Sequence, residues 1–170
     1  MRDEVMEVIG DKTEIDYDDI TKLKYINQVV QETLRMYPPA ARSNRLCTKP
    51  ITINGIHFDK DVAFSIPVYA IHHDEKYYPD PYKFDPDRFA PEEKAKRDPL
   101  TYLPFGYGPR NCIGMRFAYF EIWMTLAHLL KNYRFYSIPG SPDLPIKLNT
   151  QGITKPEETL YVRAERIYVD

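Results

Sequence analysis

Apolar positions recur at helical spacing in two stretches. From about Tyr25 to Tyr37, apolar or semi-apolar residues fall at Ile26, Val29, Val30, Thr33, Leu34 and Tyr37. This is the i, i+3, i+4, i+7 pattern of a half-buried helix, and Pro38-Pro39 ends it. From Ile113 to about Tyr133 the chain is almost continuously apolar (Phe117, Ala118, Phe120, Ile122, Trp123, Leu126, Leu129, Leu130). That run predicts a helix buried on most sides, in a core larger than this chain supplies. The first residues read like the end of a helix, with Val5, Val8 and Ile9 at helical spacing, Gly10 as a stop and no capping residue before them.

Strand patterns occupy the rest. Ile51-Thr52-Ile53 and Ile56-His57-Phe58 flank Asn54-Gly55, the favoured dipeptide of a tight hairpin turn. Val62 to Ala70 predicts a further strand, with its second half pushed to an edge or a bend by Pro67. Between Pro79 and Pro109 prolines recur and periodicity is lost, a segment too long for an ordinary loop in a compact domain. The tail predicts short strands at Tyr133–Tyr136, Ile146–Leu148 and Leu160–Val162, and there is no internal repeat.

Composition narrows the function classes. The 170 residues are 43% hydrophobic and 28% charged, which fits one domain or one piece of a larger domain. A net charge of −2 with scattered Lys and Arg gives no footprint for nucleic acid or an anionic surface. No apolar run approaches the ~20 residues that span a bilayer, and the first ten residues lack the apolar stretch of a signal peptide. Cys47 and Cys112 alone supply neither a disulfide framework nor a four-thiolate zinc site, so a reducing compartment is the simpler assumption. Fifteen prolines and fourteen tyrosines imply a chain that is irregular in large part yet packed.

The candidate chemistry lies in Pro104-Phe105-Gly106-Tyr107-Gly108-Pro109-Arg110-Asn111-Cys112-Ile113-Gly114, a glycine- and proline-rich loop leading into the apolar helix. It places a thiol at a helix N-terminus, where free N–H groups and the positive end of the dipole favour thiolate and suit it to ligating a metal. The glycines permit close approach of backbone to a flat ligand, Phe105 can pack on the sulfur side, and Arg110 can pair with a carboxylate. A lone Cys beside an apolar helix is otherwise an inert buried thiol. The surrounding loop reverses that judgement, because Phe105, Gly108, Arg110, Cys112 and Gly114 fill every defining position of F-x-x-G-x-R-x-C-x-G, five fixed residues over ten positions. In this the chain resembles the cytochrome P-450 family.

Glu32-Thr33-Leu34-Arg35 resembles the family's E-x-x-R motif, and Pro86-Asp87-Arg88-Phe89 its P-E-R-F segment with Asp replacing Glu. Taken alone, a Glu–Arg pair at i, i+3 is a solvated contact of ~0.2–0.5 kcal/mol. The resemblance implies instead a structural triad of Glu32, Arg35 and Arg88 that locks the proline-rich segment against the helix. It also implies that Cys112 is the axial ligand to the iron of haem b and the catalytic group. Arg45 and Arg110 would pair with the haem propionates, Phe105, Ile113, Gly114 and Ala118 would complete the cofactor contacts, and Ala40, Ala41, Ser43 and Ile153 would face substrate. An exposed strand-edge Arg is the alternative for Arg45, and plain packing for the four substrate-side residues. His72 and His73 lack a third ligand for a metal site and are read as surface or packing residues.

The implied fold is mainly α with small β-sheets (α+β), residues 1–170 forming a single partial domain that corresponds to the C-terminal part of a cytochrome P-450. The implied function is a monooxygenase of the microsomal animal branch, inserting one oxygen atom of O₂ into a lipophilic small molecule with NADPH-derived electrons delivered by NADPH–cytochrome P-450 reductase. The expected location is the cytosolic face of the endoplasmic reticulum membrane, held by an N-terminal anchor outside this sequence. A truncated product that retains no haem and acts by binding is the alternative, and a redox or nucleophilic Cys112 in an unrelated enzyme is a third.

Overall fold

The computed structural model describes residues 1–142 and 144–167. Helix α1 (Arg2–Val8) has no side-chain cap and stops before Gly10, whose φ of +52° suits the left-handed turn beyond a helix end. A short helix α2 (Tyr17–Ile20), not predicted, is closed by a reciprocal capping box between Asp16 and Asp19. Helix α3 (Lys24–Met36) starts at Leu23, which has no side chain able to cap. Its cap comes from α1, where the Glu4 carboxylate accepts the Tyr25 and Ile26 N–H groups at 2.7 and 3.0 Å. The predicted apolar face of α3 is only partly the real one. Ile26, Val30 and Leu34 are buried, but Thr33 is exposed, and the buried side continues through Gln31, Glu32 and Arg35.

Strand β1 (Ser43–Leu46) is followed by β2 (Ile51–Ile53) and β3 (Ile56–Phe58), which form the predicted hairpin on Asn54 and Gly55, both at positive φ. Strand β4 (Ala63–Ile66) pairs antiparallel with β1, Arg45 opposite Phe64. The expected strand over 62–70 is therefore corrected. Its second half is helix α4 (Val68–His72), because Pro67 ends the ladder and then serves as the helix's leading residue, accepting the Ile71 N–H at 3.0 Å.

The proline-rich segment is irregular as expected, but punctuated. A 3-10 turn at Pro86–Phe89, helix α5 (Pro91–Lys94) and further 3-10 turns at Pro99–Thr101 and Gly108–Arg110 all carry Pro in their first two positions. There a missing N–H costs nothing. Helix α6 (Met115–Asn132) follows, with only Ala127 fully buried among its residues. The expectation of a helix buried on most sides is thus corrected. One stripe, including Tyr119, Trp123, Leu126 and Leu130, packs on a core of Val5, Ile9, Ile20, Leu23, Ile26, Val30 and Leu34, while Phe117 and Leu129 stay exposed.

The tail carries β5 (Tyr133–Tyr136), β6 (Leu148–Asn149), β7 (Lys155–Pro156) and β8 (Arg163–Arg166), paired β5 with β8 and β6 with β7. The strands expected at 146–148 and 160–162 are shifted, since β8 is exposed along its length and is held by backbone pairing, not by an apolar face. The whole is a mainly helical arrangement with small antiparallel sheets. Among the described residues no helix is long and apolar enough to cross a membrane.

Candidate thiolate site

The loop before α6 is folded by its glycines. Gly106 and Gly108 stand at φ +75° and +79°, a region that costs an L side chain roughly 1–2 kcal/mol. The loop is closed by the Cys112 N–H, which donates to the Phe105 carbonyl at 2.8 Å. Phe105 thereby holds Cys112 through the main chain, while its ring packs on Tyr119 of α6, 5.4 Å between centroids. Cys112 is exposed and free, and Gly114 sits so close that an added Cβ would lie 3.9 Å from its Sγ. Beside it Ile113 is fully exposed and Phe117 is 69% exposed, an apolar pair turned outward next to a thiol. Ala118, half-buried one turn further on, donates its N–H to the Gly114 carbonyl at 2.9 Å.

Arg45 is an exposed residue of β1, as its plainer reading held, yet its guanidinium reaches the loop and donates to the Arg110 carbonyl at 3.4 Å. Arg110 is exposed as well. Between β1 and the loop lies an open cleft of ≈ 830 Å³ with Arg45, Leu46, Arg110, Asn111 and Ile113 on its walls. Two cationic groups, Arg45 and Arg110, and two exposed apolar residues, Leu46 and Ile113, therefore line one cleft beside the loop that carries Cys112.

The E-x-x-R pair is not a solvated contact, since both side chains are fully buried. Arg35 donates through Nε and Nη2 to the two Glu32 oxygens at 2.7 and 2.9 Å, a bidentate fork, and also to the His72 and Pro81 carbonyls, both at 2.8 Å. Glu32 further accepts the Asp85 N–H at 2.9 Å. Arg88 completes the cluster loosely, for its Nε stands 3.6 Å from Glu32 Oε1, beyond a hydrogen bond, while its Nη2 donates to the Asp80 carbonyl at 3.0 Å. One ion pair thus secures the end of α4 at His72 and two points of the proline-rich segment, Pro81 and Asp85.

His72, set aside as a surface or packing residue, is fully buried and bonded at both ring nitrogens. Nε2 accepts the Leu103 N–H at 2.8 Å, so Nδ1 carries the hydrogen and donates to the Arg35 carbonyl at 3.0 Å. Burial depresses its pKa from 6.5 to about 4, which keeps it neutral in this role. Tyr102 stacks on the imidazole and donates its hydroxyl to the Gln31 carbonyl at 3.1 Å, and Tyr78 donates to the Thr101 carbonyl at 3.0 Å. The signal that could have found these groups is the richness in tyrosine of a segment whose irregular backbone must be satisfied by side chains.

On the side expected to face substrate, the Thr154 N–H donates to the Pro39 carbonyl at 2.9 Å, so the turn at 151–154 lies against the segment 39–43. Ala40 and Ile153 are exposed, and Ala41 and Ser43 are half-buried, so none of the four is a core residue.

A model of the family described as cytochrome P450 matches residues 1–164. Cytochrome P450 3A41 of Mus musculus is 38% identical over 163 residues, 96% of this chain and 32% of the relative. Cytochrome P450 3A5 of Homo sapiens is 40% identical over 165 residues, 97% of this chain and 32% of the relative, and the human cytochrome P450 3A7 is 41% identical over 162. The chain spans about a third of the length of these curated relatives. With Phe105, Gly108, Arg110, Cys112 and Gly114 gathered in one loop, and Glu32 buried against Arg35, the chain belongs to the cytochrome P450 family.

Proposed function

We propose that the chain forms the thiolate side of a haem-thiolate monooxygenase, in which the Cys112 sulfur would hold the iron of haem b. The observation that carries this reading is the exposed thiol at the start of an 18-residue helix, flanked by outward-facing Ile113 and Phe117 and by two guanidiniums. Those residues fit a flat apolar macrocycle with anionic arms. The absent Cβ at Gly114 leaves room beside the sulfur, exposed apolar groups gain by being covered, and Arg45 and Arg110 suit carboxylates. Among the described residues no group of three or more His, Cys, Asp and Glu side chains could hold a metal.

When bound, haem supplies O₂ activation, with one oxygen atom inserted into a lipophilic substrate, the other leaving as water, and electrons drawn from NADPH through a reductase. The protein's part is placement. Cys112 would hold the cofactor from a loop closed by the Phe105 carbonyl, and Arg45 and Arg110 would pair with its propionates. Ile113, Gly114, Ala118 and Phe105 would border the macrocycle, while Ala40, Ala41, Ser43 and Ile153 would face a lipophilic substrate. The working protein is proposed to act at the endoplasmic reticulum membrane.

Haem titration of the purified protein tests the reading. Arg45→Ala and Arg110→Ala should each weaken haem affinity about tenfold, the worth of one charge-assisted hydrogen bond, with the melting temperature unchanged because both side chains are exposed. Equal affinity in the double variant and the parent would contradict the proposed propionate contacts.

A further inference from the structure

The side chain of His72 reaches from the buried Glu32–Arg35 pair to the segment that enters the thiolate loop. We propose that His72 is a positioning residue for the Cys112 loop, acting as a strut from the last turns of α3 to the residue that enters the loop. Its Nδ1–H is anchored on the Arg35 carbonyl, and its Nε2 holds the Leu103 N–H, two residues before Phe105. Phe105 in turn holds the Cys112 N–H. The imidazole is held in place from several sides, because Arg35 donates to the His72 carbonyl, Tyr102 stacks on the ring at 5.5 Å, and Tyr78 meets it edge-on at 6.5 Å. A two-ended strut of fixed tautomer transmits the position of a rigid buried pair to the loop. Its functional consequence rests on the haem-thiolate reading, whereas its mechanical role does not.

Three variants separate positioning from bulk. His72→Asn can keep the donation to Arg35 but cannot reach Leu103, His72→Gln can place its carbonyl near the Leu103 N–H, and His72→Phe keeps only the ring. Hydrogen exchange is read at Leu103 and Cys112 in the purified protein without haem, and the reduced carbon monoxide spectrum is read with haem. Loss of one net hydrogen bond should speed exchange at both amides roughly tenfold in the Asn and Phe variants. The Gln variant should return to within about threefold of the parent, and should recover the strongly red-shifted Soret band that the Asn variant partly loses. If the Phe variant does not fold, the Asn and Gln pair still decides. Exchange and spectra that are alike in Asn and Gln overturn the strut. Gln rescue of exchange in a protein whose parent gives no red-shifted band upholds the strut and removes the haem reading instead.

Discussion

Two regions of this molecule treat charge in opposite ways. Around Glu32 and Arg35 the charges are fully buried and answered within the chain, through a bidentate fork, the His72 and Pro81 carbonyls and the Asp85 N–H. Around Cys112 the thiol, the guanidiniums of Arg45 and Arg110 and the apolar Ile113 and Phe117 all face outward. The first region is finished by its own residues and makes a scaffold. The second presents a thiol, cations and apolar surface together, the set that a flat anionic macrocycle needs. Rigidity in the one is what gives the other a fixed geometry, with His72 standing between them.

The contrast is broken most severely from the buried side. Glu32→Ala or Arg35→Ala strands an ion in the interior, and should lower unfolding free energy by about 3–5 kcal/mol, measured by urea denaturation. A loss under about 1 kcal/mol would mean that water reaches the pair. Arg88→Ala should cost far less, since its Nε lies 3.6 Å from the carboxylate and its other bond is to an exposed carbonyl.

Acid should sharpen the comparison next. The unfolded His72 takes its proton near 6.5, while burial holds the folded group at about 4. The unfolded state therefore binds protons first as pH falls, and stability from this group, whole above pH 6.5, is lost progressively down to about pH 4 and is constant below. At about 1.4 kcal/mol for each tenfold in proton affinity, the loss is roughly 3 kcal/mol. His73, lowered by burial as well, acts in the same direction. Denaturation from pH 7 to pH 4 in His72→Gln should show a shallower slope than the parent, and equal slopes would remove His72 from the acid response.

The family and the bend ahead of α6 were legible in the sequence because five fixed residues lie within ten positions and the glycines act locally. The hairpin at Asn54-Gly55 and helix α3 were legible for the same reason, as backbone preference and periodicity are short-range signals. The exposure of α6 was not, since an apolar pattern reports which residues avoid water and not which surfaces are at hand to cover them. Strand β8 escaped because its exposed residues Arg163–Arg166 carry no alternation, and its register comes from pairing with Tyr133–Tyr136. His72 escaped because its partners are main-chain groups of Arg35 and Leu103, 37 and 31 residues away, which no local pattern reports. The triad was legible in its members but not in its geometry, where Arg88 turned out to be the loose corner.

Substituting the sulfur itself is the most direct test of the whole arrangement. The reduced carbon monoxide complex of the haem-loaded protein should show a strongly red-shifted Soret band, and Cys112→Ser should abolish it while the unfolding transition stays within about 0.5 kcal/mol, as expected for an exposed side chain. Persistence of the same band in Cys112→Ser would show that some other group ligates the iron.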